Sequence, residues 1–297
     1  MIFEAQKTAN QWKEELKERV DNFKSKPVMA VIVAKDYYPP SKIYINNKIK
    51  TNNDINAETK IFEIEWECRG GFDVYTDLRE LVDELNEDNS VHGIIIQRPF
   101  LDFTEKELDI VAPVKDIDGL GVVQQGLLIS KSAESYIPAT AYGVVKSIQS
   151  QFGNDLSGLT ISIINRSPLI GIPLQTALRN LNATVVNLHT KSDKEFTQYM
   201  LKNSDIVVTA TGRRAVYCSK DFSDKVKMLI DCSMDKDKTG MISGVGDIFQ
   251  DEVLRNMPEC VLSSNYNQTG KMTCVALSAN LVRAYEIQNN LRGEVIC

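Results

Sequence analysis

Apolar positions along this chain follow two different spacings, and their alternation predicts an α/β fold. Short runs of apolar, mostly β-branched residues predict buried strands, at residues 28–34, 61–66, 91–97, 159–164, 183–188, 205–211, 226–232 and 260–264. Between them, apolar residues at helical spacing predict helices over residues 5–24, 41–53, 75–88, 104–111, 138–152, 174–181 and 273–292. Strands and helices that alternate in this order indicate mostly parallel sheets with helices on their faces.

Turn signals divide this pattern further. Pro39 and Pro40 predict a stop before the helix at 41–53, and Ser41 stands where its N-cap belongs. The segment PVKDIDGLG at 113–121 predicts a polar turn, while the charged stretches at 191–195 and 235–238 predict solvated loops. A chain of 297 residues suits two domains, and we expect the helix at 138–152 to lead from the first to the second.

Residues 158–190, GLTISIINRSPLIGIPLQTALRNLNATVVNLHT, predict a strand, a turn, a helix and a second strand. Free amides at the start of that helix, together with Arg166 and Ser167 in the turn, would suit a dinucleotide phosphate. The usual GxGxxG is absent, because Asn165 stands where a first glycine might and only Gly171 follows. Spacing alone therefore does not separate a dinucleotide site from an ordinary α/β connection.

Composition excludes several classes of function. The formal net charge of −6 and the pI near 5.2 argue against a nucleic-acid partner. We expect a cytoplasmic protein without a membrane anchor, because no long uncharged apolar run occurs and the N-terminal segment lacks the apolar core of a signal peptide. Six scattered cysteines without a CxxC pair and only two histidines indicate no metal site. Acid–base chemistry then falls to lysine, carboxylates or tyrosine.

Four side chains are candidates for that chemistry. Tyr44 and Lys48 are four residues apart and share one face of a helix, Gln97 ends a strand, and Asp118 lies in a turn. Ligands of open parallel sheets bind beyond the carboxyl ends of strands, where these groups fall. Each alone has an ordinary structural explanation. Tyr44 and Lys48 also fit the YxxxK motif of short-chain dehydrogenases. In that family, however, the motif follows the nucleotide-binding turn, whereas here it precedes Asn165, in the candidate turn, by over a hundred residues.

Taken together, the motifs resemble those of the bifunctional methylenetetrahydrofolate dehydrogenase and methenyltetrahydrofolate cyclohydrolase family over nearly the whole chain. SKIYINNKIK is similar to the family's SxxYxxxKxK, GIIIQRP to GxxVQLP, PVKDIDGLGVVQQGLL to PxKDVDGFHxxNxGxL, and PATAYGV to PCTPxGx. In the second half, NRSPLIGIP is similar to GRSxxVGxP, ATVVNLHTKSD to ATVTxCHSxT, SDIVVTATGR to ADIxxxAxGx, LIDCSMD to VIDVGIN, and GVGDI retains GDV.

The resemblance implies an organisation and an activity. Residues 1–140 plus 273–297 would form a folate-binding catalytic domain, and residues 141–272 a Rossmann-like dinucleotide-binding domain. The implied reactions are NADP-dependent oxidation of 5,10-methylenetetrahydrofolate to the 5,10-methenyl form, and its hydrolysis to 10-formyltetrahydrofolate. NAD is a possible replacement for NADP, and relatives of this family are generally homodimers.

The resemblance also implies roles for individual residues. Lys48 would be the central catalytic lysine, Gln97 would hydrogen-bond and tune it, Asp118 would grip the pterin, and Tyr44 would stack on the folate rings. The implied folate contacts are Tyr44, Lys48, Ile96, Gln97, Arg98, Asp118 and Gly270. The implied cofactor contacts are Asn165, Arg166, Ser167, Thr190 and Met234. Arg166 favours NADP over NAD, since a guanidinium suits a 2′-phosphate.

Departures from the family pattern leave alternatives open. The largest is at 263–273, SSNYNQTGKMT, where the family has TPVPGGVGPMT in a loop between folate and nicotinamide. Smaller changes are Asn165, Ala139 with Ala141, Leu120 with Gly121, and Ser233 with Asp235. One alternative is an enzyme that keeps only one of the two activities. Another is a divergent paralogue that binds folate or nucleotide without turnover, and a third is a two-domain dehydrogenase of an unrelated small substrate.

Overall fold

The structure, a computed structural model, describes residues 1–35, 38–64, 71–97, 109–233, 246–263 and 270–291, without the side chains of 38–41 and 71–75. The chain forms two compact units. The first unit comprises residues 11–139 and 274–296, and the second comprises residues 1–10, 140–273 and 297. Residues 1–10 group with the second unit in this division of the structure, whereas the family resemblance implies that they belong to the folate-binding domain.

The first unit contains a parallel sheet of β1 (Val28–Ala34), β2 (Glu58–Ile64) and β3 (Gly93–Ile96), in the order β2-β1-β3. Every residue of β1 is buried, as befits a central strand that carries helices on both faces. From β1 the chain proceeds to one side for β2 and returns to the other side for β3. The carboxyl ends of β1 and β3 therefore flank the crevice at which such sheets bind ligands.

Helices of the first unit bury apolar faces. They are α1 (Ala5–Asp21), α2 (Tyr38–Asp54), α3 (Gly71–Glu87), α4 (Val122–Ile129) and α9 (Gly270–Gln288), of which residues 5–10 and 270–273 group with the second unit. In α1 the buried residues Trp12, Leu16 and Val20 recur every four positions. Helix α9 is instead buried on nearly all sides from Val275 to Glu286. A helix enclosed in this way can place polar side chains against several loops at once.

The second unit contains a parallel sheet in the order β5-β4-β6-β7-β8. Its strands are β4 (Thr160–Ile164), β5 (Thr184–Leu188), β6 (Ile206–Thr209), β7 (Met228–Asp231) and β8 (Val261–Ser263). Its helices are α5 (Ala139–Phe152, with Ala139 in the first unit), α6 (Gly171–Asn180), α7 (Lys194–Asn203) and α8 (Gln250–Asn256). The strand order reverses between β4 and β6, which marks the ligand crevice of a doubly wound sheet.

Several predicted elements need correction. Helix α2 begins at Tyr38, so Pro39 and Pro40 lie in its first turn, where a missing N–H costs nothing, and Ser41 is not the N-cap. Strand β2 starts at Glu58 rather than at 61, because Val28 of β1 pairs with Glu58. Helices α4, α7 and α8 were not predicted. Only residues 109–111 of the predicted helix at 104–111 are described, and the predicted loop at 235–238 lies wholly outside the described residues.

Helix α7 shows why one of these predictions was wrong. Residues 191–195 were expected to be a solvated loop because they are charged. Asp193 is instead the N-cap of α7, and its carboxylate accepts a 2.8 Å hydrogen bond from the Phe196 N–H. An acidic N-cap followed by Glu195 in the first turn is typical of a helix start.

Among the described residues, no helix is both long enough and apolar enough to cross a membrane.

Candidate active site

Lys48 and Gln97 are in direct contact at the carboxyl end of the first unit's sheet. The Lys48 ammonium, on α2, donates a 2.8 Å hydrogen bond to Oε1 of Gln97. Gln97 directly follows β3, and its own N–H donates a 2.8 Å bond to the carbonyl oxygen of Ile32 in β1. The backbone of Gln97 is thereby fixed to the two strands that flank the crevice, and its side-chain amide contacts the lysine.

Burial lowers the pKa of the Lys48 amine, because removal from water disfavours the ammonium form. The negative charge of Asp118, and that of a Cys274 thiolate, act in the opposite direction. The residue as a whole is half-buried, and the amine is its more enclosed part. A lysine of this kind can exchange a proton nearer neutrality than an ordinary surface lysine.

Tyr44 lies one helical turn before Lys48, on the same face of α2. Its side chain is 40% exposed, which leaves ring surface available for a flat ligand. Partial burial raises the pKa of its phenol, and Cys274 adds to that effect. The hydroxyl therefore stays protonated at neutral pH.

Asp118 is held in place by a neighbour that is locked into the core. Ile117 is fully buried, and its carbonyl oxygen accepts a 2.8 Å bond from Nδ2 of Asn280 in α9. Its side chain packs so closely on β3 that a Cβ added at Gly93 would lie 2.6 Å from Ile117 Cδ1. Because Ile117 faces the core, the half-buried Asp118 side chain projects from a rigid turn, close enough to Lys48 to act on it electrostatically.

The remaining predicted folate contacts are less well defined. Ile96 is only 3% exposed and belongs to the core of the first unit. Gly270 is the first residue of α9 and is exposed. Arg98 lies outside the described residues. The structure thus brings together Tyr44, Lys48, Gln97 and Asp118, whereas the side chain of Ile96 packs in the core.

Cys274 is a neighbour of this group that sequence reasoning missed. The sequence analysis gave it no role, yet it is partly accessible and influences the pKa values of both Tyr44 and Lys48. Burial raises its own pKa, and Lys48 counteracts that rise in part. Scattered cysteines carry no pairing signal, so the spacing of the six cysteines gave no hint of this position.

In the second unit, the side chain of Asn165 connects the turn after β4 to β6. Its Oδ1 accepts bonds from the N–H groups of Ser167 and Gly171, at 2.7 and 3.1 Å, and its Nδ2 donates a 2.6 Å bond to the carbonyl oxygen of Ala210. The Asn165 carbonyl oxygen accepts a further 2.8 Å bond from Asn187 of β5. Asn165 therefore shapes the turn, and both polar atoms of its side chain already have protein partners.

The close approach of α6 to the end of β4 indicates that this crevice fits a dinucleotide. A Cβ added at Gly171 would lie 2.1 Å from the Asn165 carbonyl oxygen, so helix α6 approaches the strand end as closely as the third glycine of a dinucleotide turn allows. Thr209, at the carboxyl end of β6, is fully buried, and its hydroxyl has no hydrogen-bond partner in the described part of the chain. Because protein encloses this hydroxyl, it does not itself line the crevice.

Three of the other predicted cofactor residues lie just after strands of the second unit's sheet: Arg166 and Ser167 after β4, and Thr190 after β5. Arg166 and Thr190 are exposed, and Ser167 is partly buried, with its hydroxyl accepting a 3.2 Å bond from the Ile170 N–H. Thr190 follows β5 by two residues. Met234 lies outside the described residues.

Asp247 and Asp231 are buried carboxylates at the same sheet edge that sequence reasoning did not single out. Asp247 accepts bonds from the N–H of Thr211, the hydroxyl of Thr211 and the N–H of Arg213, at 2.7 to 3.0 Å. Asp231 accepts from the N–H groups of Ser233 and Ile248. Burial raises the pKa of Asp231 to about 6. The retained GDV motif was the available signal, because its aspartate is Asp247.

Comparisons with known proteins agree with this geometry. The family profile described as "Tetrahydrofolate dehydrogenase/cyclohydrolase, catalytic domain" matches residues 3–118, and that described as "Tetrahydrofolate dehydrogenase/cyclohydrolase, NAD(P)-binding domain" matches residues 138–289. The chain is 32% identical over 264 residues to the bifunctional protein FolD of Listeria innocua, with 87% of each chain covered. It is 28% identical to the bifunctional protein FolD of Borreliella afzelii, over 98% of this chain and 95% of that protein.

A solved structure is also similar throughout. The bifunctional methylenetetrahydrofolate dehydrogenase/cyclohydrolase FolD of Campylobacter jejuni superposes with a TM-score of 0.83 at 26% identity, covering 98% of this chain and 99% of that one. The α/β fold with two domains, expected from the sequence, is confirmed. By both profiles and by its relatives, the chain belongs to the tetrahydrofolate dehydrogenase/cyclohydrolase family.

Proposed function

We propose that this protein catalyses both reactions for which its family is named: the NADP-dependent oxidation of 5,10-methylenetetrahydrofolate and the hydrolysis of 5,10-methenyltetrahydrofolate to 10-formyltetrahydrofolate. The observation that supports this most directly is the 2.8 Å bond from Lys48 to Gln97, within electrostatic reach of Asp118, at the carboxyl edge of a parallel sheet. On this proposal residues 1–140 plus 273–297 bind folate and residues 141–272 bind the dinucleotide.

Hydrolysis of the methenyl bridge needs a group that exchanges protons with water. The buried Lys48 amine serves as that group, because its lowered pKa makes the neutral form accessible and Gln97 holds its nitrogen in one position. Asp118 accepts hydrogen bonds from the N3 proton and the 2-amino group of the pterin, as a carboxylate does from a guanidinium. Tyr44 stacks on the folate rings, and Ile96, Arg98 and Gly270 complete the folate contacts.

For the oxidation, the nicotinamide supplies the hydride acceptor when it is bound, and the protein mainly positions the reactants. Asn165 orders the turn through its three side-chain hydrogen bonds. On this proposal Arg166, Ser167, Thr190 and Met234 contact the cofactor. The exposed Arg166 guanidinium favours NADP, since it can pair with a 2′-phosphate. The substitution Arg166→Gln would then weaken NADP binding and leave NAD binding nearly unchanged.

The setting of the enzyme follows from its family and its charge. We propose a cytoplasmic homodimer that acts on tetrahydrofolate one-carbon derivatives. The net charge of −6 disfavours a nucleic-acid partner.

Separate assays of the two half-reactions test the proposal. Lys48→Met should reduce methenyltetrahydrofolate hydrolysis by about 10²- to 10⁴-fold, the usual contribution of a positioned acid–base group. Lys42→Met is the matched control, because Lys42 is exposed on the same helix and stands at a variable position of the family motif, and it should keep wild-type rates. A Lys48→Met protein with normal hydrolysis would refute the role of Lys48.

The altered segment at 263–273 motivates the alternatives, although residues 264–269 lie outside the described residues. If this segment no longer admits nicotinamide beside folate, the protein hydrolyses methenyltetrahydrofolate and does not oxidise the methylene form. If the protein instead binds folate without turnover, calorimetry detects tetrahydrofolate binding, while saturating NADP or NAD yields no product. Wild-type turnover in both assays excludes both alternatives.

A further inference from the structure

Asp116 is a buried carboxylate that the proposed reactions do not use. It lies two residues before Asp118, is 7% exposed, and forms a parallel bridge with Ile94 of β3. Its Oδ1 accepts a 3.1 Å bond from the Gly119 N–H, and its Oδ2 accepts a 2.8 Å bond from the Gly121 N–H. The Leu120 N–H is a third donor to the same carboxylate. Three consecutive amides after Asp118 therefore converge on one side chain.

These bonds determine the course of the chain around Asp118. On one side, Ile117 is locked into the core and bonded to Asn280. On the other, Gly119 adopts a φ of +68° and Gly121 becomes the N-cap of α4, both while donating to Asp116. The space is tight, since a Cβ added at Gly121 would lie 2.9 Å from Asp116 Oδ2. The chain after Asp118 is thus held by Asp116, and the residue before it is held by the core and by Asn280.

We infer that Asp116 is a positioning residue for folate: its ionised carboxylate gathers the amides of residues 119–121 and so holds Asp118 in the orientation that receives the pterin. This inference rests on the proposed role of Asp118 as the pterin acceptor. An ionised carboxylate offers acceptors to all three amides. A protonated or amidated group has fewer acceptor sites and gains a donor that faces other N–H groups.

The charges around Asp116 make this arrangement sensitive to pH. The neighbouring ionisable groups are Asp118 on the same turn, Asp109 beside Gly121, and Tyr136, whose pKa Asp116 helps to raise. The amides lower the pKa of Asp116, but burial dominates and, with Asp118, raises it to about 7. Burying this carboxylate in its ionised form costs desolvation free energy. A functional role therefore explains its presence better than a stabilising one.

The pH dependence of stability has a definite sign. Because the folded state holds the Asp116 proton more tightly than the unfolded state, this group lowers the free energy of unfolding as pH rises from about 4 to about 7. Asp116→Asn removes that cost at pH 8, but it also replaces an acceptor of the Gly119 and Gly121 amides with a donor. The two effects on stability oppose each other, so folate binding, and not Tm, tests the positioning role.

The test is a double-mutant cycle on the Kd of tetrahydrofolate, measured by calorimetry with the full-length protein at pH 8. We expect Asp116→Asn and Asp118→Asn each to weaken binding at least tenfold, and the double variant to bind no more weakly than Asp118→Asn alone. Asp109→Asn is the control, because exposed Asp109 caps the same α4 helix through the Val122 N–H, and it should bind as wild type.

The outcomes distinguish this inference from the proposed function. Wild-type binding by Asp118→Asn defeats the folate role itself. Two results overturn only the positioning role. One is weak binding by Asp118→Asn together with wild-type binding by Asp116→Asn, and the other is fully additive losses in the double variant. Should Asp116→Asn not fold, the wild-type protein decides: the Kd should rise severalfold as pH falls from 8 to 6, and Asp118→Asn should remove most of that rise. A flat wild-type profile overturns the inference.

Discussion

The Lys48 ammonium donates its hydrogen bond to a neutral amide, Oε1 of Gln97, at 2.8 Å. A carboxylate in place of that amide would stabilise the ammonium form far more strongly. The neutral partner therefore orients the lysine without strongly favouring its protonated form. This choice suits a residue that has to give up and regain a proton during hydrolysis.

Gln97→Glu tests that relationship. The added charge should raise the pKa of Lys48, so that the neutral amine becomes available only at higher pH. Since an adjacent opposite charge shifts a pKa by about 1–3 units, hydrolysis of methenyltetrahydrofolate at pH 7 should fall at least about tenfold. The pH profile of kcat/KM should move toward alkaline pH by about 1–3 pH units, in step with the pKa of Lys48.

Gln151→Glu provides the matched control for this experiment, because Gln151 is exposed in α5 of the second unit. It should keep the wild-type profile. An unshifted profile in Gln97→Glu would show that the proton state of Lys48 does not limit hydrolysis.

Lys48 should also reduce the stability of the folded protein. Its pKa is lower in the folded state than the ordinary value of 10.5, so the cost of burying the ammonium is present below the folded pKa and disappears as pH rises toward 10.5. Lys48→Met should therefore raise the free energy of unfolding at pH 7 by about 0.5–2 kcal/mol. The gain should shrink at pH 10.

Urea unfolding at both pH values measures this effect, with Lys42→Met as the control. That substitution on the exposed side of α2 should change stability by less than about 0.5 kcal/mol. A loss of stability in Lys48→Met at pH 7 would mean that the hydrogen bond to Gln97 outweighs the cost of burial.

Gly171 should be intolerant of any side chain. A Cβ would lie 2.1 Å from the carbonyl oxygen and 2.5 Å from the carbonyl carbon of Asn165, and both are backbone atoms that cannot rotate away. Gly171→Ala should therefore displace the turn after β4, lower the free energy of unfolding by about 1–3 kcal/mol, and weaken NADP binding. Calorimetry of NADP binding checks the functional part.

Gly126→Ala is the contrasting substitution. A Cβ there meets nothing within 4 Å, and Gly126 is exposed inside α4. It should stabilise the protein by about 0.5–1 kcal/mol and leave NADP binding unchanged. If Gly171→Ala bound NADP as tightly as the wild type, the turn after β4 would not form part of the cofactor site.

The sequence predicted those parts of the fold that rest on local patterns. Strand β1 was predicted with its observed bounds because seven consecutive apolar residues leave little freedom. The start of β2 was predicted wrongly, since it depends on pairing with β1, and Glu58, Thr59 and Lys60 carry no strand signal of their own. The short helices α4, α7 and α8 were missed because caps and tertiary contacts, more than apolar spacing, determine them.

The candidate site was partly predictable for the same reason. Motif resemblance pointed to Lys48 and Gln97, and the structure joins their side chains. It could not show that Asn165 is engaged by partners from three segments, because two of them, Ala210 and Asn187, are distant in sequence. Nor could it show that Cys274 approaches Lys48, since a thiol in a helical apolar pattern is indistinguishable from a core residue.

Asn280 in α9 should be among the most sensitive polar residues of the first unit. It is fully buried, and its Nδ2 donates 2.8 Å bonds to the carbonyl oxygens of both Ile117 and Ile137. Asn280→Leu keeps the approximate volume but leaves two buried acceptors unpaired. Each costs about 1–3 kcal/mol, and removal of the buried Asn280 Oδ1, which has no partner among the described residues, offsets part of the loss, so the free energy of unfolding should fall by roughly 2–4 kcal/mol in urea titrations.

The same variant should also affect the folate site, because Ile117 adjoins Asp118. We expect the Kd of tetrahydrofolate to rise in Asn280→Leu, while NADP binding, which belongs to the second unit on our proposal, stays within twofold of wild type. Asn10→Leu is the control, since Asn10 is exposed in α1 and should change neither quantity. Equal weakening of both ligands would indicate general destabilisation of the protein, and unchanged folate binding would contradict the link from Asn280 through Ile117 to Asp118.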